Sequence, residues 1–302
     1  MNKLLLKRTP LKTAILSVLM FLFIIVFSSC EKEVHIDLGS VPPQLVVEGG
    51  IQQGLPPVVV LTTTISFFSS IDYSTLQNSF VHTADVTVSD GITTIKLKEY
   101  SLDTGNHNKF YLYSIDTPYT FKGQIGKTYF LTINYNGKTY TSNTTIPPPM
   151  QLDSFSIVAP PVPSVKFPNA VTLYLHFKDP DTLGNYAKYY TKRNSEPYYS
   201  SSIYTDELNN GTAVSWYIDP GANLAMPDSS STRRFYKGDT VAVKWCSIDR
   251  NVYKFWNTYE FAQNSIGNPF ATPINAQSNI SNGALGVWQG YGADTIAIII
   301  PK

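Results

Sequence analysis

Tyr129-Phe130-Leu131-Thr132-Ile133-Asn134-Tyr135-Asn136-Gly137-Lys138-Thr139-Tyr140-Thr141-Ser142 is the stretch that decides the fold class. Two β-prone runs flank Asn136-Gly137, a pair that supplies the positive φ of a type I′ turn, so the stretch predicts a β-hairpin. A second hairpin is predicted upstream, where Asp85–Ser89 turns at Asp90-Gly91 into Ile92–Leu97, with Val86 and Val88 alternating against polar neighbours. Further upstream, Leu45–Ile51 and Val58–Thr64 are β-branched runs bounded by Gly and Pro, and each predicts a strand. Residues 66–83 show no period and read as a long loop. Strands and turns at this spacing predict an immunoglobulin-like β-sandwich over residues 44–146. It lacks the paired cysteines of antibody domains, so the likeness is architectural.

Pro147-Pro148-Pro149 then interrupts the chain. Three prolines are stiff and cannot enter a ladder, which marks a domain boundary. Beyond it, Leu152–Val158, Val171–Phe177, Tyr186–Lys192, Ala213–Ile218, Thr240–Ser247 and Thr295–Ile300 predict strands. Asp249 is placed to cap a helix to about Gln263, with Val252, Phe255, Trp256 and Tyr259 on one face. The chain is therefore expected to be mainly β, with a second β-rich domain over 150–302 holding one helix near 249–263.

The first 29 residues read as a processed leader. Lys3, Lys7, Arg8 and Lys12 precede an apolar run from Ala14 to Phe27, then Ser28-Ser29-Cys30. The run is shorter than the roughly 20 residues a spanning helix needs and matches a secretory h-region. Small residues directly before a cysteine form a bacterial lipoprotein signal, so Cys30 is the expected lipidation site and first processed residue. A tether over 30–43 follows, ending at Pro42-Pro43. Glu31-Lys32-Glu33 resembles the export tags that carry Bacteroidota lipoproteins to the cell surface. With Cys30 acylated, Cys246 has no partner, and its strand context predicts a buried thiol. Without the leader, 19 basic residues face 22 acidic ones, which argues against nucleic acid as a partner.

No zinc-protease, Cys-x-x-Cys, nucleophile-elbow or P-loop pattern occurs, so neither metal nor cofactor nor enzymatic activity is expected. His35, His82, His107 and His176 are scattered. Asp179-Pro180-Asp181 and Asp206-Glu207 read as turn formers rather than calcium ligands. Tyr189-Tyr190, Tyr198-Tyr199, Tyr204 and Trp216-Tyr217 cluster within a short span. Since Tyr and Trp favour interfaces, Tyr189, Tyr199, Tyr204 and Trp216 are candidates for a glycan or protein surface. So are Trp288 and Tyr291 at the end of Asn268–Gly292, a Gly- and Asn-rich stretch read as an ordered loop lying against a partner or the core.

Several segments, in order, resemble the Bacteroidota lipoprotein family known as domain-of-unknown-function family 4249. They are Cys30–Glu33 with Leu45–Ile51, then Ala84–Gly91, Gly126–Tyr129 and Gly137–Ser142. Asp179 with Gly184–Tyr186, Gly238–Val241, Asn268–Phe270, Ser278–Ile280 and Gly283–Gly286 follow. The resemblance implies location rather than chemistry: members are similar to accessory lipoproteins of TonB-dependent outer-membrane transporters. The expected function is a non-enzymatic, surface-exposed outer-membrane lipoprotein serving as an accessory or lid subunit of such a transporter. A glycan-binding surface lipoprotein and an adhesin-like envelope protein are the alternatives.

Overall fold

In the computed structural model the described residues are 42–66, 69–70, 72–103, 105, 109–118, 120–160, 165–221, 234–266, 272 and 274–302. The leader, Cys30, His35 and His107 lie outside them, as does the tether up to Val41. The chain is mainly β, as its turn chemistry predicts. Asn136 and Gly137 adopt φ of 49° and 71°, the two positive values of a type I′ turn. They join Thr128–Tyr135 (β7) to Lys138–Thr145 (β8), with Tyr135 opposite Lys138.

The Asp90-Gly91 turn differs from its expectation. Between Asp85–Ser89 (β3) and Thr94–Lys96 (β4), only Gly91 has positive φ, 87°. The Asp90 carboxylate shapes the loop by accepting from the backbone N–H groups of Ile92 (3.1 Å) and Thr93 (2.8 Å). Those donors, with Lys127, pull the carboxyl down to about 2. The strand also ends sooner than the sequence suggests. At buried Leu97 the chain leaves this sheet, and Lys98–Asp103 (β5) joins another. Within 66–83, read as loop, Tyr73–Ser79 forms a short helix (α1) capped by Asp72.

Three sheets result among the described residues. The first is β4-β3-β7-β8. The second combines Leu152–Val158 (β9), Ala170–Lys178 (β10), Ala213–Ile218 (β13) and Phe235–Tyr236 (β14). The third has eight strands. It includes Leu45–Gln52 (β1), Val58–Thr63 (β2), β5 and Lys109–Ser114 (β6) from the first half of the chain. From the second half come Tyr186–Arg193 (β11), Tyr199–Thr205 (β12), Thr240–Ile248 (β15) and Leu285–Ile299 (β16). Its order is β12-β11-β15-β16-β1-β2-β6-β5, so it runs uninterrupted through both sides of Pro147–Pro149.

β16 makes that continuity possible. Its first seven residues pair in parallel with β1, from Val46 opposite Leu285 to Gln52 opposite Tyr291. The remainder pairs antiparallel with β15, from Ser247 opposite Gly292 to Thr240 opposite Ile299. Side-chain amides complete the backbone pairing at two points. The Asn279 amide donates to the Trp288 carbonyl (2.8 Å) and accepts from its N–H (2.9 Å). The Gln53 amide does the same at Ala293, both at 2.6 Å.

The inward glycines of β16 explain its path. A Cβ on Gly286 would stand 1.9 Å from the Val47 carbonyl oxygen, and Gly286 has φ of 105°. One on Gly292 would stand 1.9 Å from the Pro147 oxygen. The triple proline is thus packed directly against this strand.

Two hydrophobic cores lie against one side of the long sheet. The first holds Val47, Val59, Leu61, Val86, Leu131 and Ile133, and is completed by Ile280, Ala284 and Trp288 from the end of the chain. The second holds Leu173, Phe177, Tyr189, Val243 and Trp245. A buried aromatic such as Trp288 contributes on the order of 3 kcal/mol. Arg250–Ser265 (α2) packs on the opposite side of the sheet through Val252 and Phe255 against Val287 and Ile248. Its cap is the predicted Asp249, which accepts from the N–H groups of Asn251 (2.9 Å) and Val252 (3.0 Å). The same carboxylate accepts from the Thr144 hydroxyl (2.5 Å) and the Thr145 N–H (3.1 Å), tying α2 to β8.

Candidate functional site

The aromatic residues singled out in the sequence are mostly interior. Tyr189 stacks on Trp245 with ring centroids 5.4 Å apart, and Tyr204 meets Trp216 edge-on at 5.0 Å. Tyr189, Tyr204 and Trp288 are at most 1% exposed and present no face to a ligand. Trp216 packs half-buried against the second core, and Tyr199 is half-buried on β12. Tyr291 lies on the other side of the long sheet, its hydroxyl 2.9 Å from that of Tyr190. The physical reason is strand alternation: Tyr189 and Tyr190 point to opposite faces, and Tyr189 faces the second core. The exposed members of the cluster are instead Tyr198 and Tyr217.

One residue of each acidic pair is tied into the fold. Asp179 is fully buried, accepts from the Tyr204 hydroxyl at 3.0 Å, and has its pKa raised from the ordinary carboxylate value by desolvation. Asp206 accepts from the N–H groups of Gly184 (2.8 Å) and Asn185 (2.9 Å). Among the described residues no group of His, Cys, Asp and Glu is arranged to hold a metal. Cys246 is buried, and burial pushes its thiol up to about 12. Such a thiol is a poor nucleophile.

What the fold offers for binding is the side of the long sheet that carries α2. The helix covers the β11–β12 end, where the buried Lys188 ammonium donates to Glu260 (2.9 Å) and to the Ser201 carbonyl (2.6 Å). Lys188 also sits 4.5 Å from the Trp256 ring centroid. The Trp256 indole N–H donates to Gln289 at 2.9 Å.

The β1-β2-β6-β5 half has no such layer among the described residues. Val58, Leu102 and Phe110 stand out from it at 39%, 51% and 38% exposure, beside Leu55 of the β1–β2 turn. Tyr100, Leu112 and Val60 fill in between. Two depressions of about 300 and 640 Å³ run along this face. Glu48, Lys244 and Tyr291 edge the first, and desolvation holds the Glu48 carboxyl above its ordinary value.

Of the residues on this face only Tyr291 is among the sequence candidates, though one signal for the others was present. Val58-Val59-Val60-Leu61 is apolar at four consecutive positions. An antiparallel strand with one solvated face should alternate; a continuous run marks a strand built to be covered on both sides. Val59 and Leu61 face the first core, and Val58 and Val60 face outward.

Among the described residues the fold is a three-sheet β scaffold with α2 on one side of the long sheet and an apolar outer half-sheet beside it. Its family is also defined: a family model described as Domain of unknown function (DUF4249) matches residues 31–297, and the chain belongs to that family. No curated protein matches the chain.

Proposed function

We propose that the protein is a non-enzymatic lipoprotein, anchored to the outer membrane through Cys30 and exposed at the cell surface. In this reading it is an accessory or lid subunit of a TonB-dependent transporter. The observation that carries it is the apolar outer face of β1-β2-β6-β5. One side of this half-sheet is packed on the first core, while the other leaves Val58, Leu102 and Phe110 in solvent. Isolated exposed apolar residues are ordinary, but a contiguous exposed apolar patch marks an interaction surface. In sequence, the leader and Cys30 precede β1, a strand of that same half-sheet.

The test is recovery of partners from detergent-solubilised outer membrane with the tagged full-length protein. A TonB-dependent transporter is expected with the unaltered chain and is expected to be lost with the Val58→Asp/Phe110→Asp variant. Recovery of no transporter overturns the reading. Cys30→Ser is expected to remove the protein from the outer-membrane fraction.

A further inference from the structure

A second binding feature lies elsewhere, on the outer side of the β7–β8 hairpin. It is an open pocket of about 670 Å³, bounded by β7 and β8, the first turn of α2, and the segment Gln277–Ser281. That volume lies within the range of small-molecule sites.

Its walls are held in place before any ligand arrives. Ser281 donates its backbone N–H to the Thr141 carbonyl (2.9 Å) and its hydroxyl accepts from the Thr141 N–H (2.7 Å). The Ser142 hydroxyl donates to the Asn279 carbonyl at 2.8 Å, while the Asn279 amide is bound to Trp288. Asp249 fixes the α2 wall to β8 through Thr144 and Thr145. Pre-organisation of this kind lowers the ordering cost of binding.

The chemistry of the lining is unlike that of the apolar half-sheet. Most of it is hydroxyl and amide. Four of these side chains, Thr132, Asn143, Asn251 and Gln277, form no side-chain hydrogen bond among the described residues. Each amide both donates and accepts. Phe130, 44% exposed on β7, stands directly across the ladder from Asn143. Among the described residues Lys254 supplies the single charge of the wall, and no carboxylate lines it.

A phosphate-bearing ligand would call for several cations or a cradle of N–H groups, whereas an apolar ligand would call for a greasy lining. Paired donor–acceptor groups around an exposed aromatic ring fit a polyhydroxylated ring instead. Its vicinal hydroxyls match the amides, and its C–H face matches the phenyl face. We propose that this pocket is a carbohydrate-binding site, with Phe130 as the stacking platform and Asn143, Asn251 and Thr132 as the hydroxyl-reading groups.

Isothermal titration of the full-length protein in detergent with hexasaccharides of cellulose, xylan, β-mannan and polygalacturonate tests this. One-site binding of at least one of the four is expected. Affinity should weaken about tenfold or more in Phe130→Ala and in Asn143→Ala/Asn251→Ala, with the melting temperature of each unchanged. If polygalacturonate is the ligand, Lys254→Gln is expected to weaken it as well; for a neutral glycan Lys254→Gln is silent. Binding of none of the four, or binding indifferent to both the Phe130 and the Asn143/Asn251 variants, overturns the proposal. Val58→Asp/Phe110→Asp is expected to leave sugar binding intact, and Phe130→Ala to leave transporter recovery intact, so the two proposals fail separately.

Discussion

Buried phenols set the response of this protein to alkali. Tyr190, Tyr204 and Tyr291 are all raised above the ordinary tyrosine range, first by desolvation. Tyr190 and Tyr291 also bond to each other, and Tyr204 donates to the buried Asp179 carboxylate. An acid whose folded pKa exceeds its unfolded value binds more protons when folded. The stability these groups contribute is complete below about pH 10 and is lost as pH rises through the raised values. The melting temperature is therefore expected to fall above that point. In an ultraviolet phenolate titration, these tyrosines should ionise only together with unfolding. Tyr190→Phe/Tyr291→Phe, which removes both hydroxyls and their bond, should flatten part of the decline. An unchanged alkaline melting profile would count against the assignment.

At the scale of elements, α2 shows how local and distant determinants meet. Its cap at Asp249 and its face of Val252, Phe255, Trp256 and Tyr259 were legible, because capping and helical periodicity act within a few residues. The ion pair beneath it was not: Lys188 lies 72 residues from Glu260 along the chain. Desolvation lowers the Lys188 ammonium from its ordinary value, and Glu260 opposes that. Removing one partner of such a pair strands the other, while replacing both is often neutral. Lys188→Met is expected to cost about 2 kcal/mol in urea unfolding, since Glu260 keeps some solvent access. Lys188→Met/Glu260→Gln should recover most of that loss. A double variant as unstable as the sum of its singles would show that the pair is not coupled.

For the whole molecule, the decisive element is β16. Residues 44–146 carry turns and strands that read as a free-standing sandwich, yet their core includes Ile280, Ala284 and Trp288. The open edge of β1 is paired by residues 285–291. A fragment ending at Ile146 would expose that edge and lose the Trp288 indole, whose N–H donates to the Tyr129 carbonyl at 3.0 Å. Expressed alone, residues 43–146 are expected to show no cooperative thermal transition, while residues 43–302 should melt in one. A cooperative transition in the short fragment would show that its core closes without β16.

The order of residues specifies the β class, both hairpin positions, the capped helix and most strand boundaries, because alternation, turn residues and caps act between near neighbours. It also placed Cys246 in a strand interior. Tertiary structure alone decided which strands meet. Leu285–Gly292 escaped notice as a strand because the positions facing the first core side are Gly286, Trp288, Gly290 and Gly292, while Leu285, Val287, Gln289 and Tyr291 lie on the side that carries α2. Glycine is needed there since other backbone occupies the space: the Val47, Thr145 and Pro147 oxygens would lie within 2.8 Å of an added Cβ. Close approach to distant chain erased the hydrophobic rhythm that reveals a strand. The same long-range pairing buried Tyr189, Tyr204 and Trp288 and left Val58, Phe110 and Phe130 outside. Which aromatic residues can meet a partner is a property of the assembled sheets, not of their neighbours in sequence.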